Sequence, residues 1–187
     1  MPRPATVSSE QLTDALMRLV VDGGLEAVSV RTVAKEAGVS VGAVQYHFKT
    51  KDDLLYAAYE RVIDQVALRA QAIQATSALD FVSKLLQELL PLDDRRAAEL
   101  KVAMAFSARS IYSERLAALY STGYGALIDA IAGALEQANT ALDGRPEAIQ
   151  AVALTDGLAW HLQCAPARLT ADQALAALDA HLARLAP

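Results

Sequence analysis

Apolar positions recur along this chain at helical spacing almost from end to end. Leu12, Ala15, Leu16, Leu19 and Val20 fall at i, i+3, i+4, i+7 and i+8, which predicts a first helix starting at Ser8 or Ser9. Ser8 and Gln11 have capping-box spacing, and Gly23-Gly24 ends the run. Ser29 is placed to cap a second helix and Ser40 a third, while Thr50 with Asp53 makes the box for a fourth. The fourth is expected from Lys51 to about Gln74, roughly 36 Å at 1.5 Å per residue. Its early apolar residues Leu54, Leu55 and Ala58 suit an N-terminal core, and Val62, Val66 and Ile73 point into the C-terminal part of the chain, so one helix belongs to two domains.

Beyond Ser77 the pattern predicts long amphipathic helices over Ala78 to Leu90, Asp94 to Ser110, Ser113 to about Asn139, Pro146 to Gln163 and Ala171 to Leu185. The breaks are Pro91-Leu92-Asp93, the region of Tyr112, Asp143-Gly144 and Cys164-Ala165-Pro166. Thr170 and Gln173 form a last capping box. The expected fold is therefore all-α, about nine helices. A three-helix N-terminal domain over residues 1–53 is joined by the long helix to an antiparallel helical bundle over residues 54–187.

Val30 to Phe48 has the packing signature of a helix-turn-helix. Ala34 falls on the inner face of one short helix, Gly38 where the chain must turn, and Val39 and Val44 where the next helix crosses it. Phe48 reads as the anchor of that second helix in the core. Val41-Gly42-Ala43 is a small-side-chain start that lets a helix approach base edges, and Ser40 sets a hydroxyl beside the helix-end amides. Gln45 carries the one amide able to pair bidentately with adenine. Arg31, Thr32, Tyr46, His47, Lys49 and Lys51 offer hydrogen bonds and charge to a phosphate backbone. Gln45 also fits a solvated helix residue, and His47 a residue set against the dipole of its own helix.

Composition agrees with this reading: 53% of residues are hydrophobic, aromatics are few, and Ala and Leu abound. The net charge of −5 has the wrong sign for a nucleic-acid binder, and residues 1–61 alone hold seven basic against eight acidic side chains. The local distribution matters more. From Arg31 to Lys51 four basic residues and His47 face the single acid Glu36, and affinity follows the cations at the docking face. No apolar run approaches the ~20 residues of a membrane span, and the N-terminus lacks the apolar core of a signal peptide. One cysteine, Cys164, excludes an internal disulfide and offers no metal-ligand pair. A cytoplasmic protein without membrane association, metal or cofactor is expected.

Tyr46 to Leu55, YHFKTKDDLL, closely resembles the tetracycline-repressor (TetR) family, in which a helix-turn-helix ends in a Tyr-His-Phe box and is followed by a basic step and a helix starting Lys-acid-acid-Leu-Leu. The likeness runs from Leu12 to Tyr59. Many members carry an aromatic where this chain has Gln45. ALTDGLAWHLQ and LDAHLARL further resemble the branch related to the choline-responsive repressor of betaine synthesis, best at Asp156-Gly157-Leu158. The resemblance implies a homodimeric, ligand-responsive repressor that binds a double-stranded, near-palindromic operator. Its C-terminal domain would serve effector binding and dimerisation.

Candidates to line an effector pocket are Met104, Phe106, Arg109, Tyr112, Tyr120, Tyr124, Trp160, His161 and Cys164. Each also fits a packing role; together they suit a small, largely apolar ligand, with Arg109 near Tyr112 able to admit a carboxylate. The resembling family pairs its last two helices across a dimer axis. Here Ala151, Leu154, Leu158 and Leu162, with Leu175, Leu178, Leu182 and Leu185, form the apolar stripes such a four-helix bundle needs, or else cover their own core. Two other classes remain to be weighed, an all-α enzyme or carrier and an interaction module. Catalysis has no support: the three histidines are scattered at positions 47, 161 and 181, with no phosphate loop and no H-E-x-x-H.

Overall fold

A computed structural model describes residues 7–186, and among these nine α-helices and two short 3-10 turns account for all regular structure. The helices are α1 (Ser9–Gly23), α2 (Val30–Glu36), α3 (Val41–His47), α4 (Lys51–Gln71), α5 (Ala78–Gln87), α6 (Asp94–Ser110), α7 (Glu114–Ala138), α8 (Gly144–Cys164) and α9 (Ala171–Leu182). The all-α expectation is borne out. Capping explains many of the boundaries. Ser8 and Gln11 close a reciprocal box on α1, Ser40 Oγ accepts the Ala43 N–H at α3, and Thr170 and Gln173 box α9. At α4, Asp53 N–H donates to Thr50 Oγ1 while the Asp53 carboxylate accepts the Thr50 N–H at 2.9 Å.

Several ends differ from the sequence pattern. α4 stops at Gln71 rather than Gln74, because the chain tightens into i→i+3 bonds from Ala72 and Ile73 before Ser77 caps α5. α8 starts at Gly144 rather than Pro146. A proline is tolerated in a first helical turn, where its missing N–H has no intrahelical partner to lose. The last turn of the chain, Ala183–Leu185, is 3-10 rather than α.

The chain forms two compact units. The first runs through Ile63 and takes in Lys101–Leu119; the second holds Asp64–Leu100 and Tyr120 onward. The residue 53/54 boundary drawn from the sequence falls inside α4. Three helices, α4, α6 and α7, continue from one unit into the other. The first unit buries Leu12, Leu16, Val33, Ala34, Val44, Leu54 and Leu55 completely or nearly so, with Phe48 beside them. The second has one continuous core built by Val82, Leu86, Leu90, Ile128, Ile131, Leu135, Val152 and Leu178.

In the second unit Arg69 reaches from α4 to two acids. Its guanidinium forks onto Glu99 at 3.0 and 2.7 Å and its Nε donates to Glu88 at 2.5 Å. Burial pushes its pKa down, and the Glu99 and Glu88 bonds outweigh that, so the net shift is upward. Planar, bidentate pairing of this kind ties the end of α4 to α6 and to the residue following α5.

Candidate nucleic-acid interface

α2 and α3 are seven residues each, too short to hold alone, and they persist because their inner faces are buried. Val33, Ala34 and Val44 are fully or almost fully buried. Gly38 makes the turn between them with φ 68°, a left-handed conformation that side chains disfavour. The Val39 N–H then closes the end of α2 by donating to Ala34 O at 2.9 Å. This fixes which face of α3 remains outward. Val41, Gly42, Gln45 and Tyr46 are exposed on it, Tyr46 by 81%, and Ala43 is half-buried. Arg31, Lys35, Lys49 and Lys51 are exposed around them.

Four of the residues assigned to phosphate contact have internal work as well. Thr32 completes a capping box on α2: its hydroxyl accepts the Ser29 N–H at 2.8 Å and lies 2.7 Å from Ala27 O. Its one proton is thereby engaged, and Thr32 acts as a cap on α2. His47 Nε2 lies 2.9 Å from Val7 O, a bond in which the ring nitrogen donates and which ties the end of α3 to the residues ahead of α1. Lys51 Nζ donates to Leu25 O at 2.6 Å and keeps two further protons. Ser40 Oγ accepts from Ala43 N–H and retains its own proton.

What sequence reasoning missed is how much of the chain downstream completes this unit. Lys101 Nζ donates to Val21 O at 3.0 Å, at the end of α1. Arg109 binds the Asp52 carboxylate with Nε at 2.9 Å, and Arg115 pairs with Asp53 while its guanidinium lies 4.5 Å from the Tyr56 ring centroid. The Arg115 bond, working against partial desolvation, lowers the Asp53 pKa, and Asp52 raises that of Arg109. Tyr59 and Phe106 stack with centroids 3.9 Å apart. The one local signal was Asp52-Asp53 in the first turn of α4; nothing near them in sequence names their partners.

The expected effector residues are therefore divided. Met104, Phe106, Arg109 and Tyr112 lie in the first unit, where Phe106 is fully buried, Arg109 is paired with Asp52, and Tyr112 is 78% exposed in the turn after α6. Tyr120, Tyr124, Trp160, His161 and Cys164 lie in the second, and of these Tyr120 and Tyr124 stack with centroids 6.2 Å apart. Of the dimer stripes, the buried half is corrected to core. Ala151, Leu178, Leu182 and Leu185 are buried in their own core, and Leu154, Leu158, Leu162 and Leu175 pack against it. Leucines supply most of the apolar area that this bundle must hide, so they turn inward. The outward face of α8 and α9 carries Ile149, Ala153, Trp160, Ala176, Ala177 and Ala180.

Among the described residues no helix is long and apolar enough to cross a membrane, and no cluster of three His, Cys, Asp or Glu could hold a metal. Residues 12–58 match the family described as bacterial regulatory proteins, tetR family, and residues 78–187 match the BetI-type transcriptional repressor C-terminal domain. The HTH-type transcriptional regulator PksA of Bacillus subtilis is 29% identical over 88% of this chain and 82% of its own length. The HTH-type regulator BetI of Serratia proteamaculans is 26% identical over 81% of this chain and 79% of its own. The crystal structure of a transcriptional regulator from Rhodococcus sp. Rha1 superposes with a TM-score of 0.90 at 32% identity, covering 96% of each chain. These relatives are regulators and not enzymes. With a recognition helix held outward by the Gly38 turn and the buried Val33, Ala34 and Val44, and with both ends of the sequence matched, the chain belongs to the TetR family of DNA-binding transcriptional repressors and carries a BetI-type C-terminal domain.

Proposed function

We propose that the protein works as a homodimer that holds a near-palindromic operator and releases it when a small molecule occupies its C-terminal part. Residues 1–53 carry DNA recognition, and residues 54–187 carry effector binding and dimerisation. Val41, Gly42, Ala43 and Gln45 read base edges. Arg31, Ser40, Tyr46, His47, Lys49 and Lys51 clamp phosphates. The observation that carries the reading is the outward face of α3, with Gln45 and Tyr46 exposed, and Arg31, Lys35, Lys49 and Lys51 exposed on the flanking segments. A two-fold dimer would present two such helices to half-sites about 34–36 Å apart, or a multiple of that.

Release has a mechanical basis in chain continuity. α4, α6 and α7 each run from the unit that a ligand would reshape into the unit that reads DNA, and Arg109 and Arg115 fasten the entering segment to the start of α4. A ligand that prefers one arrangement of these helices would bias the position of α3 in proportion to that preference. The outward face of α8 and α9 suits a second copy: small apolar residues surround Asp156 on it, with Trp160 53% exposed as its largest side chain.

Gel-shift titration against the DNA upstream of the protein's own gene tests this. A specific site, weakened by Tyr46→Ala and Lys51→Ala with a shallower salt dependence, is the expected result. Unchanged affinity in both variants would refute the assignment of α3, and retention of the operator with every small molecule tried would refute the switch.

A further inference from the structure

The basic run around α3 ends abruptly in sequence. Lys49 and Lys51 are followed at once by Asp52 and Asp53, so residues 49–53 carry two cations and two acids and have no net charge of their own. Both acids lie in the first turn of α4. Neighbouring Cα atoms are about 3.8 Å apart, so a phosphate held by Lys51 lies within roughly a Debye length, about 10 Å at 0.1 M salt, of Asp52. Left unpaired, the two carboxylates would repel the backbone that the two lysines attract.

The fold sets an arginine on each acid. Arg109, at the end of α6, donates from Nε to Asp52 Oδ1 at 2.9 Å and from Nη2 to Oδ2 at 3.4 Å. Arg115, in the first turn of α7, pairs with Asp53 and is held over α4 by the Tyr56 ring, 4.5 Å from its guanidinium. All of these residues belong to the first unit. The acids are the more covered members of both pairs: the Asp52 and Asp53 side chains are 26% and 22% exposed, against 43% for Arg109 and 57% for Arg115. Solvent, and whatever replaces it there, meets more guanidinium than carboxylate.

We infer that Arg109 and Arg115 set the charge of the DNA interface: each neutralises an acid beside the phosphate-facing lysines, and these pairs give the start of α4 its net attraction for DNA. This rests on the phosphate contacts proposed for Lys49 and Lys51, and it adds two determinants of binding from outside the helix-turn-helix.

Fluorescence anisotropy of the full-length protein tests the sign of each charge, using one labelled duplex of random sequence and one holding the DNA upstream of the protein's own gene. At roughly 50 mM salt, Arg109→Gln is expected to weaken binding about threefold or more and Asp52→Asn to strengthen it about threefold, while the two changes together return to within about twofold of wild type. These differences shrink as salt rises. Asp52 serves better than Asp53, whose carboxylate also accepts the Lys49 and Thr50 N–H groups at the helix start. Arg61→Gln is the control. It removes the same charge from the same unit, where Arg61 pairs with Asp14 about 15 Å along α4 from Lys51, and it is expected to change affinity far less than Arg109→Gln.

Weaker binding by Asp52→Asn, or a double variant as weak as Arg109→Gln, overturns the inference, because a purely mechanical latch or a direct Arg109–phosphate contact gives those results and charge cancellation does not. An Arg61→Gln loss equal to that of Arg109→Gln overturns it too, since the effect would then belong to net charge alone. Circular dichroism checks that each variant is folded, and Asp52→Asn is read as a gain, which misfolding does not produce. If Lys51→Ala weakens binding and Arg109→Gln does not, the phosphate assignment stands and only the role of the arginines falls. If Lys51→Ala changes nothing, both fall.

Discussion

Replacing Arg69 with methionine removes the cation that three bonds in the second unit depend on. The side chain is 14% exposed, its partner Glu99 7% and Glu88 23%. In Arg69→Met, Glu99 keeps its charge in a nearly dry site and loses both of its hydrogen bonds, while Glu88 retains only Arg96 at 3.8 Å. Breaking a buried pair from one side costs about 3–5 kcal/mol, because the abandoned charge is not rehydrated. For a chain of this size each kcal/mol moves Tm by roughly 2–4 °C, so a fall of about 6–20 °C is expected in differential scanning calorimetry. The double change Arg69→Met with Glu99→Leu removes the abandoned charge as well, and it should recover most of the loss despite having fewer bonds. A single variant that loses less than about 1 kcal/mol, or a double variant no more stable than the single, would refute the reasoning.

Gln45→Ala should cost about 1–3 kcal/mol at the cognate operator and little on random DNA, measured by competition gel shift. Burial, followed by the charge of Arg184, lowers the pKa of His181, whose Nε2 is buried without a partner. The neutral ring therefore contributes stability that is present above the unfolded value of about 6.5 and is lost as pH falls through the lower folded value. Thermal melts of wild type should decline across that window, and those of His181→Leu should decline less. Ala153→Arg, on the outward face of α8, should convert dimer to monomer in sedimentation velocity if that face meets a second copy. The exposed pair Asp53–Arg115 should contribute only about 0.2–1 kcal/mol to stability in a double-mutant cycle.

Local chemistry in the sequence was informative where a few neighbouring residues decide the outcome. Ser8 with Gln11, Thr50 with Asp53 and Thr170 with Gln173 form boxes because three residues of separation is the geometry of a helix start. Gly38 was legible for a similar reason, since a left-handed turn has one cheap residue. The capping role of Thr32 was hidden because a hydroxyl suits a cap and a phosphate equally well, and only the partner at Ala27 shows the cap. The role of residues 101–119 was hidden because Lys101, Arg109 and Arg115 find partners 80, 57 and 62 positions away, and no periodicity encodes a contact at that distance. The bundle faces stayed ambiguous for a third reason. In α8 and α9 both the leucine face and the alanine face are apolar, and only packing shows that Leu178 is hidden while Ala176 is exposed.

The bonds from Lys101, Arg109 and Arg115 into the first unit also set an order of events during synthesis. Once residues as far as Ile63 have left the ribosome, α1 to α3 and the start of α4 are free, but the Val21 carbonyl, the Asp52 and Asp53 carboxylates and the Tyr59 ring still lack the groups that complete them. Those groups emerge only with the segment ending at Leu119. At roughly 5–20 residues per second the gap lasts several seconds. During it the nascent DNA-reading domain is only partly stabilised, and it reaches full stability only after the chain has begun building its second half.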